Sequence, residues 1–120
     1  MGDFRKLHVW ESAHDLTLKI YKLSAKLPKE ELFGITSQIR RSAVSVEANI
    51  AESEGRFHFQ EKIQFFYTSR ASITEIKAHL IIISDLYKKF ANDALNLFEE
   101  YSILEKQVNS LISYRKKNKK

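Results

Sequence analysis

Residues 59–90 read FQEKIQFFYTSRASITEIKAHLIIISDLYKKF. Along this stretch Phe59, Ile63, Phe66, Ser69, Ile73, Ile76, Leu80, Ile83, Tyr87 and Phe90 recur in steps of four and three. That spacing holds one stripe on one side of a helix for about nine turns. Nothing in it alternates at period two, as a half-buried strand would.

The same step recurs on both sides of this stretch. Val9, Ala13, Leu16, Ile20, Leu23 and Leu27 mark a first helix over 8–27, stopped by Pro28. Ile35, Ile39, Ala43, Val46 and Ile50 mark a second over 35–54, with Gly55 as a left-handed cap. The third helix spans 59–90. Asn92 and Asp93 read as a turn and cap before a fourth over 94–115, with its seam at Leu97, Tyr101, Leu104, Val108 and Leu111. Short links make neighbours antiparallel. The predicted fold is all-α, a single up-and-down antiparallel four-helix bundle over residues 1–114, followed by a basic tail at 115–120.

Composition agrees with this reading. Three glycines and one proline leave little material for loops, and with no cysteine the core has no disulfide or Cys-based zinc site. A chain of 120 residues can bury a core unaided. The absence of cysteine suits a cytoplasmic protein. The first residues lack the apolar run of a signal peptide. The longest apolar run, residues 80–83, is far short of the ~20 residues of a membrane span. The expectation is a cytoplasmic protein without a membrane partner.

The net charge of +5 is unevenly placed. Arg115, Lys116, Lys117, Lys119 and Lys120 hold five of the 20 cations, so residues 1–114 carry 15 cations against 15 carboxylates. A basic tail can grip phosphate. It can equally be a solvated helix end whose cations suit the C-terminal dipole.

Residues 42–51, SAVSVEANIA, hold one charge, Glu47. With Ile39, Ala43, Val46 and Ile50 turned to the core, Ser37, Val44, Ser45, Ala48 and Ala51 fall on the far side. A helix apolar on both sides is normally buried on both. These five residues are the candidate oligomer interface. The alternative is a mild Ala/Ser-rich surface.

Catalytic chemistry has no motif here. Glu11 and His14 have the spacing of one carboxylate-bundle ligand unit, but Glu11 falls on the outer side. Glu75 and His79 read as a polar flank. There is no Gly-x-Ser-x-Gly elbow and no glycine-rich phosphate loop. The expectation is a non-enzymatic chain with no metal and no cofactor.

Residues 34–46, GITSQIRRSAVSV, followed by NIAE at 49–52 and Gly55-Arg56, form a distinctive run. With Val9-Trp10 before it and SITEI at 72–76 after it, the chain resembles bacterial four-helix-bundle proteins encoded in intervening sequences of 23S ribosomal RNA genes. Two positions depart from the family pattern: Ser53 stands where a glycine is usual, and Ala71-Ser72 where Gly-Ser is usual. Ser53 would stiffen the loop there.

The resemblance implies a homo-oligomer, a pentameric ring, of largely unestablished role. A related branch resembles the accessory protein of diversity-generating retroelements, which implies RNA or DNA and a reverse transcriptase as partners. Candidate phosphate contacts are Arg40, Arg41, Arg56, Lys62 and Arg70, with Arg115, Lys116, Lys117, Lys119 and Lys120. Arg40 and Arg41 have a competing role as ion-pair partners of Glu47, Glu52 or a neighbouring subunit's carboxylates. A protein-binding scaffold is the alternative function, with Trp10, Phe57 and Phe59 as anchors or as caps on the bundle ends.

Overall fold

The structure, a computed structural model, describes residues 2–119. Four helices carry the fold: α1 (His8–Ser24), α2 (Ile35–Gly55), α3 (Phe59–Leu86) and α4 (Ala91–Lys117). Single 3-10 turns precede α1 at Phe4–Lys6, precede α2 at Lys29–Glu31 and precede α4 at Lys88–Phe90. Each helix packs on the next, and α4 closes against α1. The long axis measures 48 Å, about the length of α3 at 1.5 Å per residue.

Side-chain pairs fix the directions. His14 meets Glu47, and Arg40 reaches back to Ser24. Gln38 pairs with His79 and Ser45 with Ser72. Arg70 pairs with Asn109 and Lys77 with Glu105, while Lys19 pairs with Glu100 and Lys26 with Asp93. In every pairing one number rises as the other falls. All four neighbouring contacts are therefore antiparallel, the up-and-down bundle expected from the short links.

The predicted seams form the core. Ile20, Ile39, Ala43, Val46, Ile50, Phe66, Ile73, Ile76, Leu80, Ile83 and Tyr101 have no exposed surface. On α4 the seam drifts. Ile112 is buried and Leu111 only half-buried, because the next inward position after Val108 on a 3.6-residue helix lies four residues on.

A polar ladder runs along the α2–α3 contact. His79 Nε2 lies 3.2 Å from Gln38 Oε1, Ser42 donates to the Glu75 carboxylate, and the hydroxyls of Ser45 and Ser72 lie 2.9 Å apart. Ser69 donates to the Val46 carbonyl at 2.9 Å. The rungs give partners to the buried Ser42 and Ser69 hydroxyls and to His79 Nε2, while His79 Nδ1 has none among the described residues, so a slip in register would orphan several buried groups at once. Glu75 and His79, read from the sequence as a polar flank, are rungs of this ladder.

Several expected boundaries move. α1 ends at Ser24, and a tight turn carries the chain to Leu27. α3 ends at Leu86 because Tyr87 leaves helical geometry (φ −125°, ψ 79°). Asn92 and Asp93 lie inside α4, which starts at Ala91 without a side-chain cap. Gly55 is the last residue of α2 and no glycine has positive φ, so it is not a left-handed cap. Ser53 lies within α2, buried, with its hydroxyl on the Ile50 carbonyl at 2.6 Å; it stiffens no loop. Residues 115–117 continue α4 rather than trailing from it.

Candidate nucleic-acid interface

The antiparallel bundle lays the first turns of α3 beside the last turns of α4. Three contacts define the join. Arg70 Nη1 donates to Asn109 Oδ1 at 2.9 Å. The Lys116 ammonium sits 5.2 Å from the Tyr67 ring centre, and the Lys119 ammonium 5.5 Å from that of Phe59. Arg70 also stacks on Tyr67, at 5.0 Å. Tyr67 thus carries two cations, one from each helix.

This join concentrates charge that the linear sequence spreads out. Residues 59–70 and 106–119 together hold seven cations (Lys62, Arg70, Lys106, Arg115, Lys116, Lys117 and Lys119) against one carboxylate, Glu61. Glu61 faces Arg56, 3.7 Å away. Among the described residues only Arg115 of the seven has a carboxylate partner, Glu54 at 2.7 Å. Of the other six, Arg70 donates to Asn109 and Lys62 to the Ser53 carbonyl, which leaves Lys106, Lys116, Lys117 and Lys119 with ammonium protons for phosphate oxygens.

The sequence-predicted residues divide. Arg70, Lys116 and Lys119 come together on the Tyr67–Phe59 strip, and Lys62 and Lys117 belong to the same pair of half-helices. Lys62 donates to the Ser53 carbonyl at 3.2 Å. Arg115 is held by Glu54 and lies 5.6 Å from the Phe66 ring centre. Arg56 is held by Glu52 at 2.8 Å and by Glu61, and it stacks on Phe65 at 4.8 Å. Arg40 and Arg41 lie toward the opposite end, on the first turns of α2. Arg40 is committed to the Ser24 hydroxyl at 2.7 Å and the Tyr21 ring at 4.5 Å. Within the chain, the carboxylates considered for Arg40 and Arg41 are taken elsewhere: Glu47 by His14 at 2.9 Å and Glu52 by Arg56. Arg41 is exposed, and Lys120 lies outside the described residues.

The five small residues of α2 also divide. Ser45 is a rung of the α2–α3 ladder, not an outward residue. Ala48 and Ala51 line a groove with Gly2 and Phe4 of the segment preceding α1, so part of this face accommodates the chain's own start. Ser37 is half-buried and Val44 is 44% exposed.

Of the aromatics considered as anchors, Phe57 is 82% exposed. Phe59 packs against the core beneath Lys119. Trp10 lies between Phe4, edge-on, and His14, stacked at 5.0 Å.

Tyr67, Lys106 and Asn109 were not legible as site residues. Tyr67 did carry a signal, since it is a large aromatic standing off its helix's apolar seam. Among the described residues no cluster of His, Cys, Asp or Glu is arranged to hold a metal ion, and no helix is long and apolar enough to cross a membrane.

The family described as 23S rRNA-intervening sequence protein matches residues 5–110. The chain belongs to this family. The match spans all of α1, α2 and α3 and most of α4, so the family and the bundle coincide. It stops short of Tyr114, Arg115, Lys116, Lys117 and Lys119, and the family's description names no reaction. No curated protein matches the chain.

Proposed function

We propose that this family member is a self-associating, non-enzymatic module that binds nucleic acid through the α3–α4 strip. The observation that carries the reading is the set of six cations without a carboxylate partner among the described residues, interleaved with Tyr67 and Phe59. Cations beside aromatic rings form the usual surface for a sugar–phosphate chain with exposed bases. Self-association is supported by Leu18, Tyr21 and Val44, which are 53%, 40% and 44% exposed. They lie where Thr17 meets Ala43 and Arg40 covers Tyr21 across the α1–α2 contact. A ring of five copies is the expected assembly. It would repeat the strip in every subunit and so strengthen its field.

Salt dependence tests the binding. Each phosphate contact to a single strand contributes a slope of about −0.7 in log affinity against log salt. Removing three contacts with Arg70→Ala, Lys116→Ala and Lys119→Ala is expected to flatten the slope by about 2. Fluorescence anisotropy with a labelled oligonucleotide reads this directly. Binding whose slope is unaltered in the triple variant would place the interface elsewhere, and no binding at ~50 mM salt would overturn the reading.

A further inference from the structure

The α3–α4 side of the bundle has a second half, away from the cationic strip, and its outer surface there is apolar. Ile81, Ile82 and Leu95 are 40%, 44% and 42% exposed. Ile81 lies one turn on from Lys77, whose ammonium sits 4.8 Å from the Phe98 ring centre across the α3–α4 contact, and Leu95 lies one turn before Phe98. Because α4 closes against α1, this side is opposite the α1–α2 side that carries Leu18, Tyr21 and Val44. The two apolar patches share a level along the axis. Lys19 pairs with Glu100, Lys26 with Asp93 and Arg40 with Ser24, which sets Tyr21 and Arg40 level with residues 93–100 of α4.

Charge distinguishes the two sides. Arg40 and Arg41 stand beside Tyr21 and Val44, and neither has a carboxylate partner among the described residues. Arg40 donates to the Ser24 hydroxyl and the Tyr21 carbonyl, which leaves guanidinium protons outside those bonds. Asp85 lies one turn on from Ile81 and Glu99 one turn on from Leu95. Both are exposed, and neither is paired with a cation among the described residues. Lys88 and Lys89 lie beyond Asp85, in the turn at the bundle end.

We infer that the apolar half of the α3–α4 side is the seat for the α1–α2 side of a second copy of this chain. The inference rests on the self-association reading and names the surface that the α1–α2 side meets. Leu18, Tyr21 and Val44 of one copy cover Ile81, Ile82 and Leu95 of the next, and Arg40 and Arg41 face the carboxylates of Asp85 and Glu99. Two α1–α2 sides facing each other would bring four arginines into one contact and leave the α3–α4 patch in water. Using opposite sides of one bundle makes the contact head-to-tail, as a closed ring requires. Arg70 lies about 16 Å back along α3 from Ile81. Packed helices cross at about 20–50°, so the neighbouring copy diverges from the strip and leaves it to nucleic acid.

Light scattering of the full chain at micromolar concentration tests this with two variants, each spoiling one side: Leu18→Asp with Val44→Asp, and Ile82→Asp with Leu95→Asp. The exposed positions make both compatible with folding, which circular dichroism verifies. Each variant alone is expected to run as a monomer of 14.0 kDa. Mixed one to one, each supplies the intact side that the other lacks, so the mixture is expected to reach twice that mass and stop there. A mixture of folded variants that stays monomeric overturns the seat. An Ile82→Asp, Leu95→Asp variant that assembles like the native chain also overturns it, leaving the α1–α2 self-association standing and the α3–α4 patch to a partner other than this chain. A native chain that is itself monomeric overturns the self-association and the seat together.

Discussion

Replacing Tyr101 by Phe is expected to stabilise the bundle. Tyr101 has no exposed surface, and its hydroxyl has no hydrogen-bonding partner among the described residues. An unpaired buried hydroxyl costs about 1–3 kcal/mol of desolvation. Phe keeps the ring and its packing. The lost oxygen leaves a void on the order of 10–15 Å³, which takes back about 0.3 kcal/mol. The net gain is about 0.7–2.7 kcal/mol, or roughly 3–11 °C in Tm for a chain of this size. Alkaline pH sharpens the comparison. Burial, with the Glu47 and Glu100 carboxylates adding to it, pushes the Tyr101 phenol well above its ordinary range. Below about pH 10 the folded and unfolded chains both keep the phenol proton, and its contribution to stability is complete. Above that pH the unfolded chain releases the proton while the folded chain retains it, so the native protein loses stability as pH rises. The Phe variant lacks this loss, and the other tyrosines cancel in the difference. The stability gap at pH 11 should exceed that at pH 8 by about 1.4 kcal/mol. Urea unfolding followed by circular dichroism at the two pH values measures both. A variant destabilised by about 1 kcal/mol or more at pH 8 would mean that the hydroxyl is hydrogen-bonded after all. A gap that stays flat to pH 11 would mean that the phenol is not held protonated.

Three further outcomes are expected. Glu54→Gln releases Arg115 from its partner; oligonucleotide affinity should rise and the salt slope steepen by about 0.7, read by anisotropy across a salt series. Phe66→Ala removes a fully buried ring from the first third of the α3 seam and should cost about 3–5 kcal/mol in urea unfolding. Leu18→Asp combined with Val44→Asp places charge on the α1–α2 outer surface and should shift the mass by light scattering from an assembly to a monomer; a native protein that is already monomeric at micromolar concentration refutes the self-association.

The fold was legible because one signal, the four-three step, repeats four times and specifies both helix and core face. Ile39, Ala43, Val46 and Ile50 were placed correctly by spacing alone, and each has no exposed surface. Helix ends were less legible because their causes are not local. Asn92 and Asp93 have the residue types of a cap, yet α4 starts before them: a 3-10 turn at Lys88–Phe90 leads directly into the helix at Ala91. Gly55 has the residue type of a left-handed cap, but Arg56 leaves the helix in extended geometry instead, held to Glu52 and Glu61. Ser45 shows the limit of the wheel. It lies between the core side and the outer side of α2, and only the position of Ser72 on α3 decides which it joins.

The candidate site was half-legible for a related reason. Counting charge along the chain makes residues 1–114 neutral, which argues for a basic tail on an indifferent body. Neutrality along a chain is not neutrality over a surface. An up-and-down bundle folds the chain so that residue 67 lies beside residue 116 and residue 70 beside residue 109. Lys62 and Arg70, each isolated in sequence, thereby join Lys106, Lys116, Lys117 and Lys119. The compensating carboxylates are sent elsewhere: Glu100 and Asp93 to the α1–α4 seam, Glu47 to His14, and Glu52 to Arg56. Arg115 is drawn out of the patch by Glu54, which is why the most obvious tail arginine is the least available cation in it. The separation arises from antiparallel topology acting on a balanced composition. Moving any one carboxylate onto residues 106–119 would therefore weaken phosphate attraction while leaving the net charge of the bundle unchanged.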